Sequence, residues 1–360
     1  MAKFNKLNLT PELQASIKDT ELPENLGFGL VKVPAMVVAS YVDGVWGEPE
    51  IAAYKPLVLD PSAKVFHYGQ AIFEGMKAYS GRDGKPVLFR PHENIARFNK
   101  SAQRMAMPEI PNEIFIEALD ALVGALKDLI PNKTGESLYL RPFMVATQPG
   151  LGLAPSANYL FMIIASPSGA YFSSDKVSVL VERKDCRAAP GGTGAAKVAG
   201  NYGGSIKSAI AAKALGYDQT LWLDAANRRY IEELSGMNFF AVVDGELFTP
   251  ELTDSILPGV TRKSILELAH LSGYKTHEIR MDVDELIANI KSGACSELFA
   301  CGTAAVLTPI AELGELDGTR YPVANSYGPV SRQLRETLVS IQEAGADAPE
   351  GWIYQISRNL

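Results

Sequence analysis

Between Pro190 and Gly204 the sequence runs Pro-Gly-Gly-Thr-Gly-Ala-Ala-Lys-Val-Ala-Gly-Asn-Tyr-Gly-Gly, which sets one lysine, Lys197, among six glycines. Glycine-rich loops commonly cradle phosphate through backbone N–H groups, so two nucleotide readings come first. A Walker loop needs Gly-Lys followed by Ser or Thr, whereas Lys197 follows Ala196 and precedes Val198. A dinucleotide fingerprint counted from Gly192 and Gly194 would need glycine where Lys197 stands. Both fail on spacing, which leaves a turn without function or a loop built around the lysine. Small neighbours would let a planar ring approach the backbone, and an amine held there can bond covalently to an aldehyde cofactor. A free lysine, with a pKa of about 10.4, is mostly protonated at neutral pH, so such a site must lower it by desolvation or nearby positive charge. Tyr202, in the same loop, could donate its phenol to a ring hydroxyl or simply pack as an aromatic.

Pyridoxal phosphate chemistry also needs a carboxylate that keeps the pyridine nitrogen protonated, because the protonated ring is the electron sink. The segment 228–238 offers Glu232 and Glu233. If it is extended, Glu233 shares a face with Ile231 while Glu232 points the other way with Tyr230, so Glu233 is the inward candidate. For a phosphate there are two turns: Leu257-Pro-Gly-Val-Thr-Arg262, where Thr261 opens an expected helix with free first-turn N–H groups, and Cys301-Gly-Thr-Ala304, which holds Thr303 after an expected strand. Other chemistries find little support. The four histidines, His67, His92, His270 and His277, include no pair at the spacing of a helical metal site, and no Gly-x-Ser-x-Gly elbow occurs.

Positioning these residues falls to alternating strand-like and helix-like runs, which predict a mixed α/β protein. Strands are expected at Met36–Val42, Val87–Arg90, Ser137–Val145, Tyr159–Ala165, Val177–Val181, Thr220–Leu223, Asn238–Val243 and Glu297–Ala300. Helical spacing marks Glu93–Met107, Glu113–Leu129, Ser205–Leu215, Arg262–Leu271, Val283–Lys291 and Val330–Ala344. By residue type alone, Arg97 is placed on an exposed helix face, and His270 is likewise a helix-face residue rather than a base. The 360 residues suggest two domains of roughly 150 or more. The small, polar stretch 166–175 supplies the boundary: a small α/β domain over 1–169, a linker at 170–175 and a larger α/β domain over 176–360.

Composition narrows the setting. A formal charge of -7 repels both a nucleic-acid backbone and an anionic membrane face. The three cysteines, Cys186, Cys295 and Cys301, form no Cys-x-x-Cys pair and an odd count, which fits a reducing cytoplasm better than a disulfide framework. Neither a secretory h-region nor a membrane-length apolar run is found, so no membrane partner is expected.

Several pieces in order resemble the branched-chain amino acid aminotransferases, pyridoxal phosphate enzymes of fold type IV, in their longer form. They are His67-Tyr-Gly-Gln-Ala-Ile-Phe-Glu-Gly-Met-Lys-Ala78, Leu88-Phe-Arg-Pro-His-Glu-Asn-Ile-Ala-Arg97, Leu138-Tyr-Leu-Arg-Pro142, the stretch 191–203, Glu233 to Asn238, Leu257 to Arg262 and Gly302-Thr-Ala304. The likeness runs from Phe28 to about Tyr354. It implies that Lys197 forms the internal aldimine and moves the proton between substrate Cα and cofactor C4′. It assigns Glu233 to the pyridinium, Tyr202 to the ring oxygen, and Arg97, Thr261 and Thr303 to the phosphate. Tyr68 and the amides of Thr303 and Ala304 would take the substrate α-carboxylate. Phe28, Phe73, Tyr139 and Tyr171 match an aromatic lining for branched side chains, and Arg141 matches the arginine for the glutamate carboxylate. Leu151 and Leu153 match a loop inserted from a partner subunit, which implies a homodimer.

The implied fold is an α/β (α+β) fold-type IV enzyme with two domains, the larger carrying a barrel-like sheet and the cofactor lying between the two. The implied reaction is ping-pong transamination of leucine, isoleucine or valine with 2-oxoglutarate, through pyridoxamine phosphate, to branched 2-oxo acids and L-glutamate. Departures from the family are Gly236 at a frequent threonine position, and Ala305 and Thr308 where mammalian members have a redox Cys-x-x-Cys. The absence of a transit peptide suggests a bacterial-type cytoplasmic enzyme. A D-amino acid aminotransferase, an aminodeoxychorismate lyase or, more distantly, a non-enzymatic nucleotide-binding module are the rival readings.

Overall fold

The structure, a computed structural model, describes residues 4–82, 84–169, 171, 176–343, 345 and 347–358. The chain divides into two compact units: Met1–Tyr171 with Lys197–Ala199 and Ser340–Leu360, and Phe172–Ala196 with Gly200–Val339. The expected linker, Tyr171 aside, lies outside the described residues. The C-terminal stretch, expected with the larger domain, groups with the first unit because the final strand, Ile353–Gln355, pairs with a strand near residue 88.

The first unit is built on a nine-stranded sheet. Its strands are β1 (Ala35–Val42), β2 (Val45–Trp46), β3 (Glu50–Ala53), β4 (Ala71–Phe73), β5 (Met76–Tyr79), β6 (Val87–Phe89), β7 (Ser137–Ala146), β8 (Asn158–Ser168) and the final strand Ile353–Gln355. The central pair β7 and β8 is antiparallel over ten residue pairs, from Ser137 opposite Ser168 to Ala146 opposite Tyr159. The helix Pro91–Arg104 starts where the sequence permits it, with Pro91 in its first turn and Glu93 beside the N-terminal dipole. Its buried stripe is Asn94, Ile95, Arg97, Phe98, Ser101 and Ala102. Arg97 is therefore not on an exposed face: three- and four-residue steps put it on the same stripe as Asn94 and Ser101. Phe98 packs edge-on against Phe115 of the helix Asn112–Ala125 and against Phe161 of β8.

The second unit carries the other nine-stranded sheet: β9 (Val177–Glu182), β10 (Gln219–Leu223), β11 (Ile231–Leu234), β12 (Met237–Val243), β13 (Glu246–Pro250), β14 (Thr276–Ile279), β15 (Cys295–Gly302), β16 (Val306–Gly314) and β17 (Arg320–Pro322). The order β11-β10-β9-β16-β15-β12 closes on itself because β11 also pairs with β12, giving a six-stranded barrel. Closure leaves those six strands no open edge. Val177, Val179, Val181, Leu221, Leu223, Phe239, Ala241, Leu298 and Ala300 join one core cluster, each strand contributing alternate residues. The intervening residues Leu180, Trp222, Phe240 and Phe299 are buried as well. Leu180, for example, packs with Ala212 of the helix Ile206–Ala214 and with Tyr217. Strands buried on both faces read as continuous apolar runs, which is why they are legible in the sequence. The barrel-like sheet and the mixed α/β class expected from the sequence are both observed.

Candidate active site

Lys197 is held through its backbone. Its N–H donates to Ser101 Oγ at 2.9 Å, its carbonyl accepts from the Phe73 N–H at 3.1 Å, and its neighbour Val198 bridges Ile72. The half-buried side chain then places Nζ 4.9 Å from the centre of the Phe73 ring. Ser101 can serve because it stands one turn beyond Arg97, to whose carbonyl its hydroxyl donates.

Beneath this segment lies Glu74, fully buried. Arg97 donates to it from Nε at 2.7 Å and Nη2 at 2.8 Å, and Asn94 adds a bond at 2.9 Å. Burial works to raise the Glu74 carboxyl, but Arg97, Lys197 and Asn94 outweigh it and hold it below the ordinary carboxylate range. The pair fixes the orientation of the Arg97 guanidinium.

The residues expected to line a substrate pocket come together within the first unit. On β7, Tyr139 and Arg141 lie two apart and share a face. The Arg141 guanidinium sits 4.8 Å from the Phe73 ring centre and 5.3 Å from that of Tyr139, and Nη2 donates to the Tyr139 hydroxyl at 3.1 Å. Its Nε is buried with no hydrogen-bond partner among the described residues. Phe28 meets Tyr139 edge-on at 4.8 Å and Tyr171 at 4.9 Å. Gly75 is required here, since a Cβ would collide with the Tyr139 hydroxyl. The result is a cation flanked by two rings, Phe73 and Tyr139, with Phe28 and then Tyr171 extending the aromatic surface from Tyr139, and with Lys197 over the Phe73 ring. Tyr68 donates its hydroxyl to the Leu151 carbonyl. Leu151 and Leu153 themselves are 68% and 84% exposed, a costly placement for two leucines in one short loop.

In the second unit Glu233 is buried. Arg187 Nη2 approaches its Oε1 at 2.8 Å and Asn238 Nδ2 donates to Oε2 at 3.1 Å. Asn238 stands directly opposite Glu233 in the β11–β12 register, and it also donates to the Leu257 carbonyl at 2.9 Å. It thereby ties the strand to the turn that starts the helix Val260–Leu271, in whose first turn Thr261 is buried. Thr303 and Ala304 lie half-buried in the turn after β15. Tyr202 is half-buried in the short helix Ala199–Gly203. A Cβ added at Gly200 or Gly203 would meet nothing within 4 Å, and at Gly236 only the Tyr202 ring edge at 4.0 Å, so open space adjoins this backbone. Glu232 does point away from Glu233, yet it too is buried, which alternation alone did not indicate.

Sequence reasoning passed over Glu74, Ser101, Arg187 and Asn238, the groups that orient the candidates. Only Glu74 and Asn238 stood inside a quoted motif, and neither carries a signal of its own: Glu74 acts through partners 20 and 23 residues away, and Asn238 reaches Glu233 only across the β11–β12 turn. His270 is exposed on its helix, as expected.

The family profile described as Amino-transferase class IV matches residues 71–313. The chain belongs to this family. As a class IV aminotransferase it is 45% identical over 357 residues, 98% of this chain and all of the relative, to the branched-chain-amino-acid transaminase 1 of Bacillus subtilis (strain 168). Its fold is similar to the branched-chain amino acid aminotransferase of Escherichia coli, with a TM-score of 0.74 at 28% identity over 89% of this chain and 99% of that one. It is also similar to the T.th. branched-chain amino acid aminotransferase complexed with N-(5′-phosphopyridoxyl)-L-glutamate, with a TM-score of 0.71 at 27% identity over 89% and 98%. The class IV aminotransferase fold expected from the sequence is thus the fold found.

Proposed function

We propose that this class IV aminotransferase moves the amino group of L-leucine, L-isoleucine or L-valine to 2-oxoglutarate, in two half-reactions that release the branched 2-oxo acid and then L-glutamate. The observation that carries the reading is Arg141 set between Phe73 and Tyr139, with Phe28 and Tyr171 continuing the aromatic surface. Such a pocket offers apolar walls to an aliphatic side chain and one cation to the second carboxylate of glutamate. The names of the relatives, which specify branched-chain substrates, support the same choice.

Bound pyridoxal 5′-phosphate supplies the electron sink for charge developing at the substrate Cα. The residues fit it: a buried carboxylate whose charge is balanced by Arg187, a tyrosine beside open space, and a lysine held by its backbone. Lys197 Nζ would hold the cofactor through its aldehyde and would serve as the base that moves the substrate Cα proton. Glu233 would keep the ring nitrogen protonated, and Tyr202 would donate to the ring oxygen. Arg97, Thr261 and Thr303 serve the phosphate, with Arg97 oriented by Glu74. Tyr68 and the amides of Thr303 and Ala304 receive the α-carboxylate. The exposed Leu151 and Leu153 suit a loop that enters the site of a second copy, so the working form is a homodimer, and the three free cysteines suit the cytoplasm.

The test is an amino-donor panel on purified holoenzyme. A yellow protein with a borohydride-trappable adduct at Lys197, turning over L-leucine with 2-oxoglutarate, is expected; a rate with D-alanine above that with L-leucine overturns the substrate reading. Lys197→Ala should be folded and inactive, and retained turnover would remove the lysine from its role.

A further inference from the structure

A carboxylate taken out of water tends to take up a proton unless a cation stands beside it. For Glu233 that cation is Arg187. The side chains of both are 5% exposed, and Arg187 Nη2 lies 2.8 Å from Glu233 Oε1. The same nitrogen donates to the Ser255 carbonyl and, at 3.4 Å, to the Gly194 carbonyl, which pins the guanidinium in place. Its Nε is buried with no hydrogen-bond partner among the described residues. Tying two carbonyls together needs only a neutral donor, whereas a buried guanidinium with one N–H unanswered is costly. What the charge adds is the pairing with Glu233.

The other groups near Glu233 leave Arg187 as the charge that decides. Asn238 donates to Oε2 at 3.1 Å but is neutral. Cys301, opposite Asn238 across β12 and β15, is a neutral thiol: burial and the negative charge of Glu233 push it up against the pull of Arg262. Arg262 is itself directed to the Pro250 carbonyl and to Glu278, at 2.8 and 2.6 Å. Glu232, on the same strand and also buried, supplies the contrast. It has no ion pair among the described residues, and burial, with Asp224 and Asp254 adding to it, pushes its carboxyl up against Ser255 and the more distant Arg187.

A pyridine nitrogen facing Glu233 shares one proton with it, either as pyridinium and carboxylate or as free pyridine and carboxylic acid. A cation in contact with the carboxylate favours the first arrangement by roughly ten- to a thousandfold. We propose that Arg187 is a positioning residue for the reaction, a role that rests on the place proposed for Glu233: it holds Glu233 as an anion and so keeps the shared proton on the ring nitrogen, where the electron sink needs it.

Nitrogen-15 NMR of the full-length holoenzyme, loaded with pyridoxal 5′-phosphate labelled at the ring nitrogen, reads the position of that proton. Free cofactor in acid and in alkali marks the two ends of the range. The wild-type signal should lie at the pyridinium end. It should move toward the free-base end in Arg187→Met, which keeps an unbranched stem, and in Glu233→Gln. In Arg187→Met/Glu233→Gln it should move no further than in Glu233→Gln alone. Arg187→Lys restores the charge without the planar fork and should restore the wild-type signal at neutral pH. Where Arg187→Met does not fold, raising the pH of Arg187→Lys removes the charge in place, because lysine titrates and arginine does not. Its signal should then leave the pyridinium end at a pH that leaves the wild type unchanged. The role of Arg187 is overturned by a wild-type signal at the free-base end, by an unmoved signal in Arg187→Met, by a signal in Arg187→Lys that matches Arg187→Met at neutral pH, or by identical titrations of Arg187→Lys and the wild type. An unmoved signal in Glu233→Gln overturns instead the place of Glu233, so the two failures are distinguishable.

Discussion

Replacing Arg141 with methionine separates the two halves of the proposed reaction. The substitution keeps an unbranched apolar stem against Phe73 and Tyr139 and removes the guanidinium that stands 4.8 and 5.3 Å from their ring centres. In the wild type one N–H of Arg141 is spent on the Tyr139 hydroxyl and the half-buried guanidinium makes no other hydrogen bond among the described residues, so its remaining terminal N–H groups can serve a carboxylate. A hydrogen bond to a charged group is worth about 1.5–3 kcal/mol, which corresponds to a loss of roughly 10- to 150-fold in kcat/KM for 2-oxoglutarate. L-leucine brings only methyl groups to the same wall, and its half-reaction should change by no more than about threefold, within the usual size of a volume-conserving apolar swap. Single-turnover absorbance measurements resolve the two halves: the pyridoxal form mixed with L-leucine, and the pyridoxamine form mixed with 2-oxoglutarate. Tyr139→Phe, which removes only the orienting hydroxyl, should show a weaker loss confined to the oxo-acid half. Equal slowing of both halves would mean that Arg141 supports the fold of the pocket, and no slowing of either would mean that the second carboxylate is bound elsewhere.

Glu233→Gln removes the charge proposed to face the ring nitrogen and should slow the chemical step by roughly a hundredfold, as loss of a preorganised electrostatic contact does; a near-wild-type rate refutes the role. Glu74→Gln leaves the Arg97 guanidinium buried without its counter-charge and should cost about 3 kcal/mol or more in urea unfolding at neutral pH, with Glu74→Gln/Arg97→Met less damaged than the sum of the single variants. Because the folded Glu74 carboxyl is held below its ordinary value, its contribution is present above the unfolded pKa of about 4.3 and fades as pH falls through the folded one. The wild type should therefore lose stability on acidification more steeply than Glu74→Gln, and parallel acid profiles would contradict this. Cys186 is exposed, whereas burial pushes Cys295 up to about 12 and raises Cys301 as well. An aromatic disulfide reagent should titrate one thiol in the native protein and the other two only after denaturation; rapid reaction of all three would show that β15 opens readily.

The pieces legible in the sequence were those whose signal is local. Alternation and helical spacing report on a few consecutive residues, so strands such as Ser137–Ala146 and helices such as Val283–Ser292 were visible within a residue or so of their ends. The spacing around Lys197 excluded both nucleotide loops, and ordered motifs along the chain named the aminotransferase family. Charge type misled at Arg97, because a residue scale places arginine outside whereas the helix stripe of Asn94, Phe98 and Ser101 carries it inward to meet Glu74.

Other features depend on partners far along the chain. Glu74 is 23 residues from Arg97, Ser101 is 96 from Lys197, and Arg187 reaches Glu233 from another segment. The final strand returns to β6, and barrel closure requires β11 to pair with both β10 and β12. From sequence alone this protein could be read as a Schiff-base lysine in a glycine loop, an α/β alternation and a family. Only the tertiary structure decided which cations meet which carboxylates, and that Glu232 is buried as deeply as Glu233, because burial and pairing depend on distances between segments that no local pattern encodes.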